Sequence, residues 1–248
     1  MDCPELSRNR VKELSALRLQ KYRQENGLVV IEGKRTLEQL KYYGISPREQ
    51  YLSPGTDPVW PELPAFAARE GDFRRICDSE TPQGIVALFT LPQPREVDFE
   101  LALYLDGIAD PGNLGGIFRS AAAFGIDTLL LSPGCVEVAS PKVIRASLGS
   151  VYVVPYQIVT AAQLAALRAT TFITDTRGSV LLRDFCPAPR DKTVVVIGSE
   201  AHGVSPQVAA LAQGSLRIGM REGMESLNAG IAAALVAHHL YNRAPNSD

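Results

Sequence analysis

Val11, Leu14, Leu17 and Leu19 fall near helical spacing with polar residues between them, which predicts one amphipathic helix over 6–24 that ends around Asn26-Gly27. Leu28 to Ile31 then predicts a short buried strand, and Glu32-Gly33-Lys34-Arg35 leads into a second helical pattern. Gln50 to Ser53 and Phe73 to Cys77 are expected as further short strands. Such alternation describes a small α/β domain. Leu91-Pro92-Gln93-Pro94-Arg95 lacks two backbone donors and resists both helix and central strand, so it is the expected linker.

Beyond it the rhythm changes. Apolar runs at Leu101 to Leu105, Thr128 to Leu131, Tyr152 to Pro155, Thr171 to Thr174, Val194 to Ile197 and Leu216 to Ile218 alternate with helical patterns. Runs this apolar predict an α/β fold whose mostly parallel sheet is covered on both faces. The expected domains are therefore 1–94 and 95–248. Ligands of such sheets bind beyond the C-terminal ends of the strands. Three polar, Gly-rich segments, Asp106 to Gly116, Gly198 to Gly203 and Gly219 to Asn228, each begin where a predicted strand stops, so they are expected to converge on one site.

Composition narrows the classes. The first ten residues lack the apolar centre of a signal peptide, and the longest apolar stretch, Ala229 to Ala237, is far shorter than the ~20 residues that cross a bilayer, so a soluble cytoplasmic protein is expected. The four cysteines, at 3, 77, 135 and 186, have neither zinc nor disulfide spacing, and no metal is expected. A net charge of −2 argues against a generic nucleic-acid coat. The average hides an asymmetry, because residues 1–48 hold ten Lys or Arg against six acids, whereas 96–248 hold 11 against 14. Charge alone leaves Arg8, Arg10, Arg18, Lys21 and Arg23 open between a solvated helix face and a nucleic-acid patch.

Each segment admits chemistry and a plainer structural role. In Asp106-Gly-Ile-Ala-Asp-Pro-Gly-Asn-Leu-Gly-Gly-Ile-Phe-Arg119 the glycines permit close backbone approach, and a helix starting near Asn113 sets Arg119 about one and a half turns in; a tight strand-to-helix turn with a surface Arg fits as well. In Gly198-Ser-Glu200-Ala-His202-Gly203-Val-Ser-Pro206, Glu200 suits catalysis or helix capping, and His202 has no visible orienting partner. Ser226 is the expected N-cap of an Ala-rich helix, whose free N–H groups also suit a polar substrate. His238 and His239 lack a nearby acid or Cys and are expected on a helix surface or interface.

Taken in order, DPGNLGGIFRSAAAFG, VVVIGSEAHGVSP and RIGM followed by SLNAGIAAA resemble the three motifs of the SpoU (TrmH) branch of the SPOUT methyltransferases. LRLQKYRQENGLVVIEGKRTLEQL and SETPQGIVALF resemble the accessory RNA-binding domain of that family, so the likeness spans nearly the whole chain. It implies a C-terminal SPOUT domain with a deep trefoil knot, a rare departure from unknotted folds, and S-adenosylmethionine as cofactor. It also implies a homodimer whose partner subunit completes the RNA site and whose Ala-rich helix contributes to the interface. Gly198, Ile218 and Leu227 would line the cofactor pocket, with Leu131, Ser132 and Met220 nearby. Asn113, Arg119, Glu200, Ser226 and Asn228 match the catalytic polar residues. Arg18, Lys21, Arg23, Lys34, Arg35 and Arg145 become expected RNA contacts. Gly219, Ala201 and Ala229-Gly230 depart from the usual Pro, Gly and Val-Ser, which bears on loop stiffness more than on activity.

The activity so implied is methyl transfer to a ribose 2′-hydroxyl of structured RNA, with ribosomal RNA expected over transfer RNA. A hydroxyl that attacks a sulfonium methyl needs in-line positioning and loses a proton. The Arg matching Arg119 is the family's proposed base, but a guanidinium is a poor acceptor, so a phosphate clamp is the safer role. Two other classes are weighed. A dinucleotide-dependent oxidoreductase would need GxGxxG after the first strand, which is missing; a silent RNA-binding protein of the same fold would have no evident reason to keep five polar residues in apolar surroundings.

Overall fold

The computed structural model describes residues 3–188 and 191–243. It divides into two compact units, Met1–Gln93 with Val138–Tyr152, and Pro94–Glu137 with Val153–Asp248.

The first unit opens with α1 (Arg8–Ala16) and α2 (Gln20–Asn26), followed by β1 (Leu28–Glu32), α3 (Lys34–Tyr42), β2 (Glu49–Leu52), β3 (Ala65–Ala67), α4 (Glu70–Ile76) and β4 (Ile85–Thr90). Its strands order as β1-β4-β2-β3, with only β2 and β3 parallel. Val11, Leu14 and Leu17 pack with Phe73 and Ile76 against Tyr51, Val86 and Leu88 in one core. Two expectations fail here. The single helix over 6–24 is two helices, because Arg23 turns inward and donates to the carbonyls of Leu17 (3.0 Å) and Arg18 (2.7 Å), satisfying groups that a continuous helix would have bonded itself. The run Phe73 to Cys77 is helical, since Phe73 and Ile76, three residues apart, are both buried, and acids in the first turn with Arg74 and Arg75 in the last suit the helix dipole. Gly27, in the left-handed region at φ 65°, ends α2 where expected.

The rest of the chain is β5 (Leu101–Asp106), α5 (Pro111–Ala123), β6 (Thr128–Leu131), α6 (Pro141–Ala146), β7 (Tyr156–Ile158), α7 (Ala161–Ala166), β8 (Thr170–Thr174), β9 (Val180–Leu181), β10 (Thr193–Gly198), α8 (Pro206–Ala209), β11 (Gly214–Arg217) and α9 (Ala229–Tyr241). Residues 138–152 pack with the first unit, where α6 lies on β1. Gly149 approaches Leu40 so closely that an added Cβ would stand 2.6 Å from its side chain. The strand expected at Tyr152 to Pro155 begins instead at Tyr156, because Ser150–Tyr152 forms a 3-10 turn and the Tyr152 hydroxyl donates to the Thr90 carbonyl.

Seven strands of the second unit order as β7-β6-β5-β10-β8-β11-β9, every pairing parallel. Leu103, Leu105, Leu129, Leu131, Val195 and Ile197 are buried on one face, and Ala102, Tyr104, Leu130, Val194 and Val196 with α7 and α8 residues on the other. At ~1.5–3 kcal/mol for each large apolar side chain removed from water, this burial explains why the runs are continuous rather than alternating. The strand order reverses between β5 and β10, so the crevice expected of such sheets opens beyond their ends.

Candidate active site

Register brings the polar loops together. Gly198 at the end of β10 sits opposite Asp106 at the end of β5, and Thr174 at the end of β8 sits opposite Leu216 of β11. Four loops therefore leave the same edge of the sheet, one more than the three expected. The first two are tied directly, since Asp106 accepts a hydrogen bond from the Ser205 backbone N–H at 2.7 Å. The second closes on itself through Ser199 N–H to Gly203 O (3.1 Å) and Gly203 N–H to Ser199 O (2.9 Å).

A cavity of about 440 Å³ lies among these loops. Gly198, Glu200, Ile218, Met220, Ser226 and Leu227, all expected at the site, line it. Thr174, Asp175, Thr176 and Arg177 also line it; the polar run after a predicted strand was their visible signal. His202 and Glu225 complete the charged and titratable lining. Leu131 and Ser132 do not reach it. Leu131 is fully buried, and the Ser132 hydroxyl accepts from Gly107 N–H at 2.9 Å beneath the first loop. Burial pushes the nearby Cys135 thiol up, and its sulfur donates to the Leu105 carbonyl, both of which favour the neutral thiol.

Two helix N-termini meet beside the cavity. Asp110 caps α5 by accepting from Asn113 N–H at 2.8 Å, and Asn228, not Ser226, caps α9 by accepting from Ile231 N–H at 3.2 Å. Ser226 is left exposed on the cavity wall. The two helix starts are linked, because the Asn228 amide donates to Asn113 Oδ1 at 2.9 Å and the Asn113 amide donates to the Glu200 carboxylate. Gly230 permits that approach, since an added Cβ would come within 3.2 Å of Asn228 Oδ1. One residue from each motif thus forms a continuous polar chain, with two helix dipoles favouring negative charge nearby. Arg119 is exposed on α5 and outside the cavity lining. Among the described residues no cluster of His, Cys, Asp or Glu could hold a metal ion, and no helix is long and apolar enough to cross a membrane.

The basic residues expected to touch RNA all fall in the first unit. Arg18 and Arg145 both reach Asp78, at 3.6 and 3.2 Å, while Lys21 and Lys34 face Glu25 and Glu38 at 3.9 Å. Arg35 is exposed. Arg23 is 4% exposed and spent on carbonyls, so it is withdrawn from the expected contacts.

Comparison with known proteins agrees with this arrangement. The model of the SpoU rRNA methylase family matches residues 100–238, and that of an MRM3-like substrate-binding domain matches 8–87. An uncharacterized tRNA/rRNA methyltransferase of Synechocystis is 30% identical over 92% of this chain and 89% of its own length. A 23S rRNA guanosine 2′-O-methyltransferase of Bacillus subtilis is 26% identical over 93% and 95%. Among solved structures, a TrmH-family RNA methyltransferase of Porphyromonas gingivalis superposes with a TM-score of 0.81 at 32% identity, covering 96% of this chain and 99% of that one. With the family model spanning more than half its residues and a relative of this identity along nearly its whole length, the chain belongs to the SpoU rRNA methylase family.

Proposed function

We propose that the chain methylates a ribose 2′-hydroxyl of ribosomal RNA, using S-adenosylmethionine. The observation that carries this reading is the chain Glu200–Asn113–Asn228 set beside a cavity of cofactor size. A volume of about 440 Å³ falls within the ~300–1,000 Å³ of small-molecule sites. Its lining suits a ligand that carries an aromatic base, an ammonium, a sulfonium and a carboxylate. Ile197, Ile218 and Leu227 supply apolar wall, Asp175, Glu200 and Glu225 face cations, and Arg177 faces an anion. Gly198, Ile218 and Leu227 would hold the cofactor, with Met220 beside them; bound there, it supplies an electrophilic methyl group.

The chain's own residues position the acceptor. Asn113, Ser226 and Asn228 offer short polar groups to the ribose, and Glu200 fixes the Asn113 amide. Arg119 is assigned to the neighbouring phosphate, which a planar guanidinium can grip in two places. A homodimer belongs to this reading: Ile231 and Leu235 of α9 are exposed, at 53% and 41%, and Arg119, outside its own cavity, gains a partner's RNA site to serve. The trefoil knot and a cytoplasmic location go with the same reading. The name of the Bacillus subtilis relative supports ribosomal over transfer RNA.

The test supplies the full chain with radiolabelled S-adenosylmethionine and ribosomal or transfer RNA. Label in alkali-resistant dinucleotides of ribosomal RNA is expected, because a 2′-O-methyl group blocks cleavage at its own phosphate. Label in alkali-sensitive nucleotides would refute ribose methylation, and label confined to transfer RNA would refute the ribosomal substrate.

A further inference from the structure

We propose that the first unit carries a nucleobase groove between α1 and α2, in which an unstacked base of single-stranded RNA lies against Tyr22. The proposal rests on reading RNA as the substrate, and it names a face for that contact.

The groove follows from the break between the two helices. Because Arg23 ends α1 early, the chain turns at 17–19 and leaves a depression of about 490 Å³ instead of a filled helix seam. Leu28 and Leu88 form its apolar floor. Tyr22, 39% exposed, forms one wall, and Asn9, Lys12 and Asn26 stand around it. These are the parts that single-stranded RNA recognition uses: a ring to stack on, amides for a base edge, and cations for the backbone. The Asn26 amide donates to the Tyr22 carbonyl at 2.7 Å, which orients the side chain and leaves Oδ1 to accept from an exocyclic amine. Lys12 is exposed and makes no ion pair among the described residues. Arg10 is held by Glu13 and Glu49 at 2.9 and 2.8 Å and serves as wall.

Charge selects RNA as the occupant. Arg10, Arg18 and Lys21 have acidic partners and Arg23 is buried, but Arg8 and Lys12 on α1 are exposed and make no ion pair among the described residues. An apolar peptide would gain nothing from these two cations, whereas the phosphates of a single strand would.

The experiment titrates the full chain with oligoadenylate containing 2-aminopurine and with a blunt RNA duplex of equal length, following fluorescence and anisotropy. Tyr22→Leu is expected to lose about tenfold in affinity for the single strand, with duplex affinity unchanged. Tyr22→Phe, which keeps the ring, should retain wild-type affinity. Lys12→Gln should reduce the salt slope by about one. Methyl transfer by the wild-type chain, measured beside these titrations, tests the RNA reading itself. Wild-type single-strand affinity in Tyr22→Leu, equal losses on both RNAs, or loss of self-association in Tyr22→Leu would overturn the groove while that reading stood.

Discussion

Gly198→Ala tests whether the closed second loop builds the cofactor site. A Cβ at 198 would stand 2.3 Å from Gly203 C and 2.5 Å from Val204 N, and both are backbone atoms. Ordinary contact needs about 3.4 Å, so the loop must retreat by about 1 Å. That retreat breaks the two hydrogen bonds between Ser199 and Gly203, worth ~0.5–1.5 kcal/mol each, or forces overpacking of ~1–3 kcal/mol. At 1.4 kcal/mol per factor of ten, a combined ~2 kcal/mol or more predicts at least ~30-fold weaker binding of S-adenosylmethionine. Calorimetry on the full chain measures it, with circular dichroism to confirm that the sheet persists. Gly219→Ala is the matched control, because its Cβ would meet only Leu181 Cδ2, at 3.8 Å. Affinity within about threefold of wild type for Gly198→Ala, or an equal loss in Gly219→Ala, would refute the reasoning.

Arg119→Ala and Arg119→Lys should slow single-turnover methyl transfer by ~100-fold at saturating RNA while calorimetric cofactor affinity holds, and near-normal transfer by Arg119→Ala would end its assignment. Burial pushes the Glu49 carboxyl up, but bonds from Tyr51 and Arg10 outweigh it and hold the group below the ordinary carboxylate range. Its stabilisation is therefore present above the unfolded value and lost as pH falls through the folded one, so Glu49→Gln should lower the neutral thermal midpoint and flatten the acid limb of a midpoint-against-pH series; an unchanged acid limb would contradict this. Arg23→Ala should destabilise by ~1–3 kcal/mol, because two carbonyls lose their donor, yet leave the salt slope of RNA binding unchanged. A reduced slope would return Arg23 to the RNA surface.

Local physics made much of this protein legible in its sequence. Continuous runs such as Val194 to Ile197 can satisfy burial only inside a doubly covered sheet, and polar loops after them mark the edge where ligands bind. The order of motifs, through its resemblance to the family, pointed to Asn113, Glu200 and Asn228, which the structure links by hydrogen bonds, and to Gly198, Ile218 and Leu227, which line the cavity. Tertiary structure decided the rest. Phe73 and Ile76 are compatible with strand or helix over so short a run, and packing against α1 chose helix. Ser226 and Asn228 are equally good caps in isolation; Asn228 prevailed, and it also donates to Asn113, 115 residues away. Arg23 looked like its solvated basic neighbours until the break between α1 and α2 presented it with two unpaired carbonyls. Which strands stand side by side, and therefore that Thr174 to Arg177 join the cavity, depends on a strand order that no local period encodes.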